Sequence, residues 1–223
     1  MVAAGPRKAN PIGVQVSNFI YHDDRAGRRW SLRNVPINIE RPPDLLDRVA
    51  RLIANGGIVG WFQQGSEFGP RALGCRSILA DPRDPRIHER LNTQVKHRQW
   101  FRPYAPAILL EHLADWFDLN VPSPHMLLVA AVHPHKKDLA PAIVHADGTA
   151  RVQTVAKEDG PFRAVIERFH QLTGVPILLN TSFNDHGEPI VETPLDAYQC
   201  FAETAIDALA IGSFLITKAG AHE

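Results

Sequence analysis

From residue 44 onward, apolar positions follow helical and strand periods closely enough to lay out most of the chain. Leu45, Leu46, Val49, Leu52 and Ile53 recur at helical spacing, and Asn55-Gly56-Gly57 supplies the stop. Residues 57–62 then read as a buried strand and 77–80 as a second, shorter one. The stretch 85–95 predicts a helix with Ile87, Leu91 and Val95 inward and its Arg and Lys outward. Strands are predicted at 104–110 and 126–132, with a helix over 111–117 between them. Asp147-Gly148 marks a turn between short strands at 142–145 and 150–155. Phe162, Val165, Ile166, Phe169 and Leu172 form another helical stripe, closed by Gly174, and Ile177-Leu178-Leu179 is an apolar strand. Thr193, Pro194 and Asp196 read as N-cap, first-turn proline and capping acid of a last helix, before one or two strands at 208–217. Strands and helices mix without strict alternation, which predicts an α/β (α+β) fold with a mixed sheet and flanking helices.

Residues 1–43 read differently. Pro6, Pro11, Pro36, Pro42 and Pro43 stand among clustered Arg with little periodicity, as in an extension or linker with one edge strand over 14–21. A length of 223 residues suits one sizeable domain, 44–223, preceded by that extension. Apolar content of 44% and charged content of 22% fit a soluble globular chain. No apolar run has the length of a membrane span, and the first residues lack the apolar core of a signal peptide. Two cysteines, Cys75 and Cys200, argue against a disulfide scaffold and fit a reducing cytoplasm.

Charge sharpens the picture locally. The total is zero, which argues against a broad nucleic-acid surface. Between residues 71 and 102, however, Arg71, Arg76, Arg83, Arg86, Arg90, Lys96, Arg98 and Arg102 face only Asp81, Asp84 and Glu89. The excess begins in Glu67-Phe68-Gly69-Pro70-Arg71-Ala72-Leu73-Gly74, where Gly and Pro let backbone approach a ligand and guanidinium groups offer paired donors to phosphate or carboxylate. A focused anion pocket is the reading that follows. The eleven histidines form no convincing metal set, since His133, His135 and His186 fall in loops.

The same loop is one of several motifs that recur in a known order. The others are Lys96-His97-Arg98-Gln99-Trp100-Phe101-Arg102-Pro103-Tyr104, Asp147-Gly148-Thr149-Ala150-Arg151, Asn180-Thr181-Ser182-Phe183-Asn184, Gly187-Glu188-Pro189 and Asp207-Ala208-Leu209-Ala210-Ile211-Gly212. Together, from about residue 45 to the end, they resemble the C-terminal domain of the NodU/CmcH family of O-carbamoyltransferases. That resemblance implies a YrdC-like domain, a twisted open mixed sheet whose concave face holds nucleotide. It implies formation of carbamoyl adenylate from carbamoyl phosphate and ATP with Mg2+, releasing phosphate and pyrophosphate. It implies a separate N-terminal-type domain or subunit that passes the carbamoyl group to an acceptor hydroxyl, because residues 1–43 are too few to build one. Arg71, Lys96 and Arg102 are carried over as catalytic and nucleotide-binding, with Ser182 and Asn184 as nucleotide-binding. Phosphoryl and nucleotidyl transfer rests on positioning and charge neutralisation, which suits such a set.

Each assignment has a plainer alternative. Arg71 either clamps carbamate or phosphate, or ties down its own loop through carbonyl groups. Lys96 suits a triphosphate as a mobile point charge and Arg102 a fixed oxygen pair, while Arg98 is equally a ligand or a surface residue. Arg83, Arg86 and Arg90 read as a solvated face. Ser182 and Asn184 either line the ligand edge of a sheet or cap their own turn. Glu67 holds magnesium, orients Arg71 or makes a loop ion pair; Arg151 lies near substrate or across strands. Cys75 stands where the family usually has asparagine, and reads as a small buried residue. Against the adenylate-forming enzyme stand a non-catalytic nucleotide-binding module and, less favoured by the charge balance, an RNA-binding domain.

Overall fold

In the computed structural model the described residues are 20–23, 28–31 and 36–219. Strands β1 (Ile20–Asp23) and β2 (Arg28–Ser31) form a two-stranded sheet of their own. The expected edge strand at 14–21 lies for the most part outside the described residues; its last two positions belong to β1.

The other strands are β3 (Ile37–Glu40), β4 (Val59–Phe62), β5 (Arg76–Ala80), β6 (Ala105–Leu109), β7 (Leu128–Ala131), β8 (Thr149–Val155), β9 (Ile177–Ser182), β10 (Ala208–Ile211) and β11 (Phe214–Lys218). They make one open nine-stranded sheet in the order β3-β11-β10-β4-β5-β9-β6-β8-β7. The pairs β10–β4 and β6–β8 are parallel and the remaining neighbours antiparallel, so the mixed sheet expected from the sequence is the one observed. β3 joins the sheet through β11, so the sheet takes in residues ahead of 44.

Helices α1 (Leu45–Ala54) and α4 (Gly160–Thr173) pack on each other, and α5 (Pro194–Glu203) packs on β4 and β10. Their ends follow the sequence signals. Asp44 caps α1 by accepting from the Asp47 N–H at 3.0 Å. Gly174 closes α4 at φ +75°, a left-handed conformation that costs glycine little. Thr193 and Asp196 form a reciprocal capping box with Pro194 in the first turn of α5. Between the layers Trp61, Phe117, Phe169, Phe183 and Phe201 are fully buried, each such side chain contributing roughly 1.5–3 kcal/mol by leaving water. Among the described residues no helix is long and apolar enough to cross a membrane.

Two expectations need correction. The predicted strand at 142–145 is instead a helical turn, Pro141–Ile143, followed by extended chain. Pro141 has no N–H for a ladder, and the Ala142 N–H bonds Pro82 O at 3.1 Å, which draws the segment away from β8. The predicted helix at 85–95 is α2 (Arg86–Arg90) running into a π-wound turn, Leu91–Val95. The expected core positions Ile87, Leu91 and Val95 are buried. The wider winding places the Lys96 N–H on Leu91 O at 2.8 Å and turns the Lys96 side chain inward. Completing the helices, α3 is a single turn, Leu113–Trp116.

Candidate functional site

Strand alternation gathers polar side chains on one face of the sheet. Register sets Ser77 opposite Ser182, Leu79 opposite Asn180, Asn180 opposite Ala105, and Ala107 opposite Gln153. Ser77, Asn180, Ser182, Arg151 and Gln153 therefore share a face, and the 2.7 Å bond from Asn180 Nδ2 to Gln153 Oε1 runs across it. The Gly-Pro-Arg loop between β4 and β5 covers part of this face. Asn180 Nδ2 donates to Ala72 O (3.1 Å), Gln153 Nε2 to Leu73 O (2.8 Å) and Trp61 Nε1 to Gly74 O (2.8 Å).

Glu67 organises the loop from within. Its Oε1 accepts the N–H groups of Leu73 (2.7 Å), Cys75 (2.7 Å) and Arg76 (3.2 Å). Glu67 thus serves loop backbone through Oε1, while its Oε2 is buried without a hydrogen-bond partner among the described residues. Arg76 stacks on the Phe62 ring at 3.6 Å and donates to Gln63 O at 2.5 Å, holding the base of the loop. At Gly74, φ is +121° and a Cβ would sit 2.3 Å from the Phe162 ring, so only glycine fits. The half-buried Cys75 thiol is pushed up by burial and by Glu67, which argues against a nucleophile.

Lys96 joins two remote segments. Its Nζ lies 2.6 Å from Ser182 O, 3.2 Å from Ser182 Oγ, 2.8 Å from Asn184 O and 2.6 Å from Asn184 Oδ1. Asn184 is itself fixed by Ser182 Oγ, which donates to its Oδ1 at 2.7 Å, and by its own Nδ2 donating to Glu188 O at 2.7 Å. Burial, then the nearby Arg98 charge, pull the Lys96 ammonium down to about 7. The oxygens around Nζ oppose that pull, because an ammonium has three protons to donate and a neutral amine two. Lys96 is therefore a fixed internal amine rather than a mobile point charge, and Ser182 and Asn184 are its seat as well as part of the pocket wall.

Around this seat lie guanidinium groups without anionic partners. A pocket of about 180 Å³ is lined by Lys96, Arg98, Arg102, Ser182, Asn184 and the loop from Asp185. A neighbouring one of about 450 Å³, bordered by Glu67, Gly69 and Pro70, shares Asn184. Arg98 stacks on Tyr104 at 4.6 Å and donates Nε to Asn92 Oδ1 at 2.8 Å. Asn92 is buried; it also accepts from Tyr104 OH at 2.8 Å and donates to Trp100 O and Arg102 O, so it shapes the whole turn. Burial raises the Tyr104 phenol to about 12 and keeps it a neutral donor. Arg151 is held below the ordinary arginine value by burial and by the charges of Arg71 and Arg98. Among the described residues, Arg98 Nη2 and Arg151 Nε are buried without a hydrogen-bond partner. No described carboxylate pairs with Arg71, Arg98, Arg102 or Arg151. Arg71 and Arg102 are exposed at the mouth.

The structure thus brings Lys96, Arg102, Ser182 and Asn184 to one pocket, with Arg71 near it through Arg151. It adds Arg98 and Arg151, which sequence reasoning left undecided. The remaining arginines of the basic stretch behave otherwise. Arg83 makes a bidentate pair with Asp81 and donates Nη2 to Ala54 O at 3.0 Å; Arg90 grips Asp207 at 2.7 Å and donates to Gly56 O at 3.0 Å. Both close off the C-terminal end of α1, so the expectation of a solvated face holds only for Arg86, paired with Asp84. A larger pocket of about 710 Å³ beside them is lined by these satisfied pairs, which gives an anion little to bind. Among the described residues no group of three or more His, Cys, Asp and Glu side chains forms a metal site.

Residues 50–218 match the family described as Carbamoyltransferase C-terminus. The nodulation protein NolNO of Sinorhizobium fredii is 48% identical over 186 residues, covering 82% of this chain and 27% of its own length. Nodulation protein NolO of Bradyrhizobium diazoefficiens is 45% identical over 186 residues, covering 82% of this chain and 34% of that protein. The chain therefore spans about a third of the length of these relatives. Among solved structures, full-length HypF in a phosphate- and nucleotide-bound form superposes with a TM-score of 0.50 at 17% identity, over 76% of this chain and 21% of HypF. HypF of T. kodakarensis gives 0.51 at 18% identity, over 75% of this chain and 21% of that one. At such identity the HypF likeness speaks for the fold alone. The chain belongs to the carbamoyltransferase C-terminal family.

Proposed function

We propose that this carbamoyltransferase domain forms carbamoyl adenylate from carbamoyl phosphate and ATP, for O-carbamoylation completed on a separate acceptor-binding domain. The observation that carries the reading is the set of Arg71, Arg98, Arg102 and Arg151, uncompensated by carboxylate and gathered beside the Lys96 seat. Buried guanidinium nitrogens without a partner, here Arg98 Nη2 and Arg151 Nε, are costly unless an anion completes them, and both substrates are polyanions. Water opens carbamoyl phosphate to carbamate and phosphate. A carbamate oxygen then attacks the α-phosphorus of ATP, the bond to the bridging β-oxygen breaks, and pyrophosphate leaves with that electron pair. The arginines hold the phosphate oxygens in line and neutralise charge on the leaving group, while Lys96 keeps Ser182 and Asn184 in place beneath.

Magnesium enters this reading as a companion of ATP. The described residues form no group of three or more carboxylate, histidine or cysteine side chains for it; Glu67, whose Oε1 accepts three backbone N–H groups, keeps Oε2 without a hydrogen-bond partner.

The test is pyrophosphate release by the purified chain with ATP, Mg2+ and carbamoyl phosphate, omitting each in turn. Release that needs all three, and is abolished in Arg102→Ala, is the expected result. ATP binding by calorimetry with no release in any mixture would replace the enzyme by a nucleotide-binding module.

A further inference from the structure

Two non-glycine residues among those described have positive φ, His97 at +41° and Met126 at +56°, and both touch the site. Met126 places its sulfur 3.6 Å from Arg151 Nη2. His97 stands between Lys96 and Arg98, and its Nδ1 lies 2.8 Å and 2.9 Å from the two carboxylate oxygens of Asp185. Asp185 in turn stands between Asn184 and His186 on the pocket loop, and its Oδ1 accepts the His186 N–H at 2.5 Å. A carboxylate only accepts, so Nδ1 carries the proton and the ring orientation is set. Backbone in the left-handed region is unfavourable for histidine and persists where its surroundings over-determine it.

We infer that the His97–Asp185 pair is a positioning latch, holding the Lys96–Arg98 turn against the Ser182–Asn184 loop so that cations and loop oxygens keep one geometry. The Lys96 bonds tie the same two segments from inside, whereas this pair ties them at the surface. The left-handed backbone at His97 is what lets Lys96 point down into its seat while Arg98, two residues on, returns toward Tyr104. Neither partner is assigned contact with a reacting atom. The latch rests on the reading of this pocket as the reaction site, but its structural half stands apart from that chemistry.

The variants separate backbone from side chain. His97→Gly permits the positive φ and removes the donor. His97→Asn tolerates the same φ and keeps a donor on its side-chain amide, so it is the rescue. Asp185→Ala removes the acceptor by an independent route, and is read at residues other than His186, whose own N–H loses its acceptor there. Hydrogen exchange on the full chain is the first readout: amides of residues 184–188 should exchange about tenfold faster or more in His97→Gly and Asp185→Ala, with α4 and β9 unchanged, and return toward wild type in His97→Asn. Pyrophosphate release is the second: kcat should fall about 10- to 100-fold with KM for ATP little changed, as expected when reacting groups are misplaced rather than unbound.

Unchanged exchange in both deletion variants overturns the latch whatever the activity does. Faster exchange with kcat intact in an active enzyme overturns its role in the site. Faster exchange in a chain whose wild type releases no pyrophosphate supports the latch and discards the adenylate reading, so the two failures are distinct.

Discussion

Apart from Arg76, which is held at the base of the Gly-Pro-Arg loop by Gln63 O and the Phe62 ring, the arginines of residues 71–102 reach two regions with opposite electrostatic surroundings. On the side of α1, Arg83, Arg86 and Arg90 each have an aspartate within 3.0 Å. On the polar face of the sheet, Arg71, Arg98 and Arg102 have none among the described residues, and Arg151 from β8 joins them also without one. The same residue type thus serves as a structural clamp in one place and stands without a carboxylate partner in the other. Net charge along a sequence cannot separate these; the position of the nearest carboxylate does.

The comparison breaks most sharply at Arg98. Arg98→Ala should cut pyrophosphate release at least 100-fold, the scale on which one donor to developing charge is felt, while the lost bond to Asn92 costs about 1–2 kcal/mol of stability, the Asn92–Tyr104 bond remaining. A loss of thermal stability matching the loss of activity would move Arg98 to the structural group. Arg90 should answer in the opposite way. Arg90→Ala removes bonds to Asp207 and Gly56 O and should cost about 2 kcal/mol of folding stability, with turnover per folded molecule unchanged. Urea melts and activity on the same samples would decide it; a fall in turnover at full folding would place Arg90 in the site.

This division was only partly legible in the sequence. Local signals were read well: the Asp44 and Thr193 caps, the Gly174 stop, and the strand leading to Ser182 all depend on neighbours within a turn. The Gly-Pro-Arg loop stood out by its glycine, proline and arginine, but the inward use of Glu67 did not. What escaped depends on long-range register. Asp207 is 117 residues from Arg90, and Ser182 and Asn184 are 86 and 88 residues from Lys96. The strand expected at 142–145 failed for a more local reason, since Pro141 and the Pro82 carbonyl compete with the ladder. Arg98 had a usable clue in retrospect: Asn92 and Tyr104 bracket it, and a buried amide with a buried phenol hold a guanidinium more firmly than a surface position would.

Lys96 sharpens the contrast through pH. It is a base held at about 7, below its ordinary value of 10.5, so the ammonium prevails below about 7 and is lost above it. Turnover that needs the charged seat should fall as pH rises, roughly tenfold per unit well above that point. Stability should move the other way. Between about 7 and 10.5 the unfolded chain binds more protons than the folded one, so the Lys96 contribution rises with pH. Melting temperature against pH for wild type and Lys96→Met, which keeps the stem without the charge, isolates that slope. An activity inflection near the ordinary lysine range would mean that the oxygens of Ser182 and Asn184 outweigh burial.

The smallest effect belongs to Arg86, and its smallness is informative. Arg86 pairs with Asp84 at 3.0 Å, a distance close to that of Arg90 with Asp207, yet its side chain is 87% exposed against 30% for Arg90. Water screens the first pair and solvates either partner left alone, so distance does not set the worth of the contact. Arg86→Ala should therefore leave both the urea midpoint and pyrophosphate release indistinguishable from wild type, while Arg90→Ala shifts the midpoint. A shift of similar size in the two variants would show that pairing by itself stabilises this side of the molecule. A drop in turnover for Arg86→Ala would mean that the α1 side also meets substrate. If neither occurs, the arginines of one basic stretch are distinguished by burial and partner: exposed and paired, half-buried and clamping, buried on backbone carbonyls as Arg76, and gathered without a carboxylate beside the Lys96 seat.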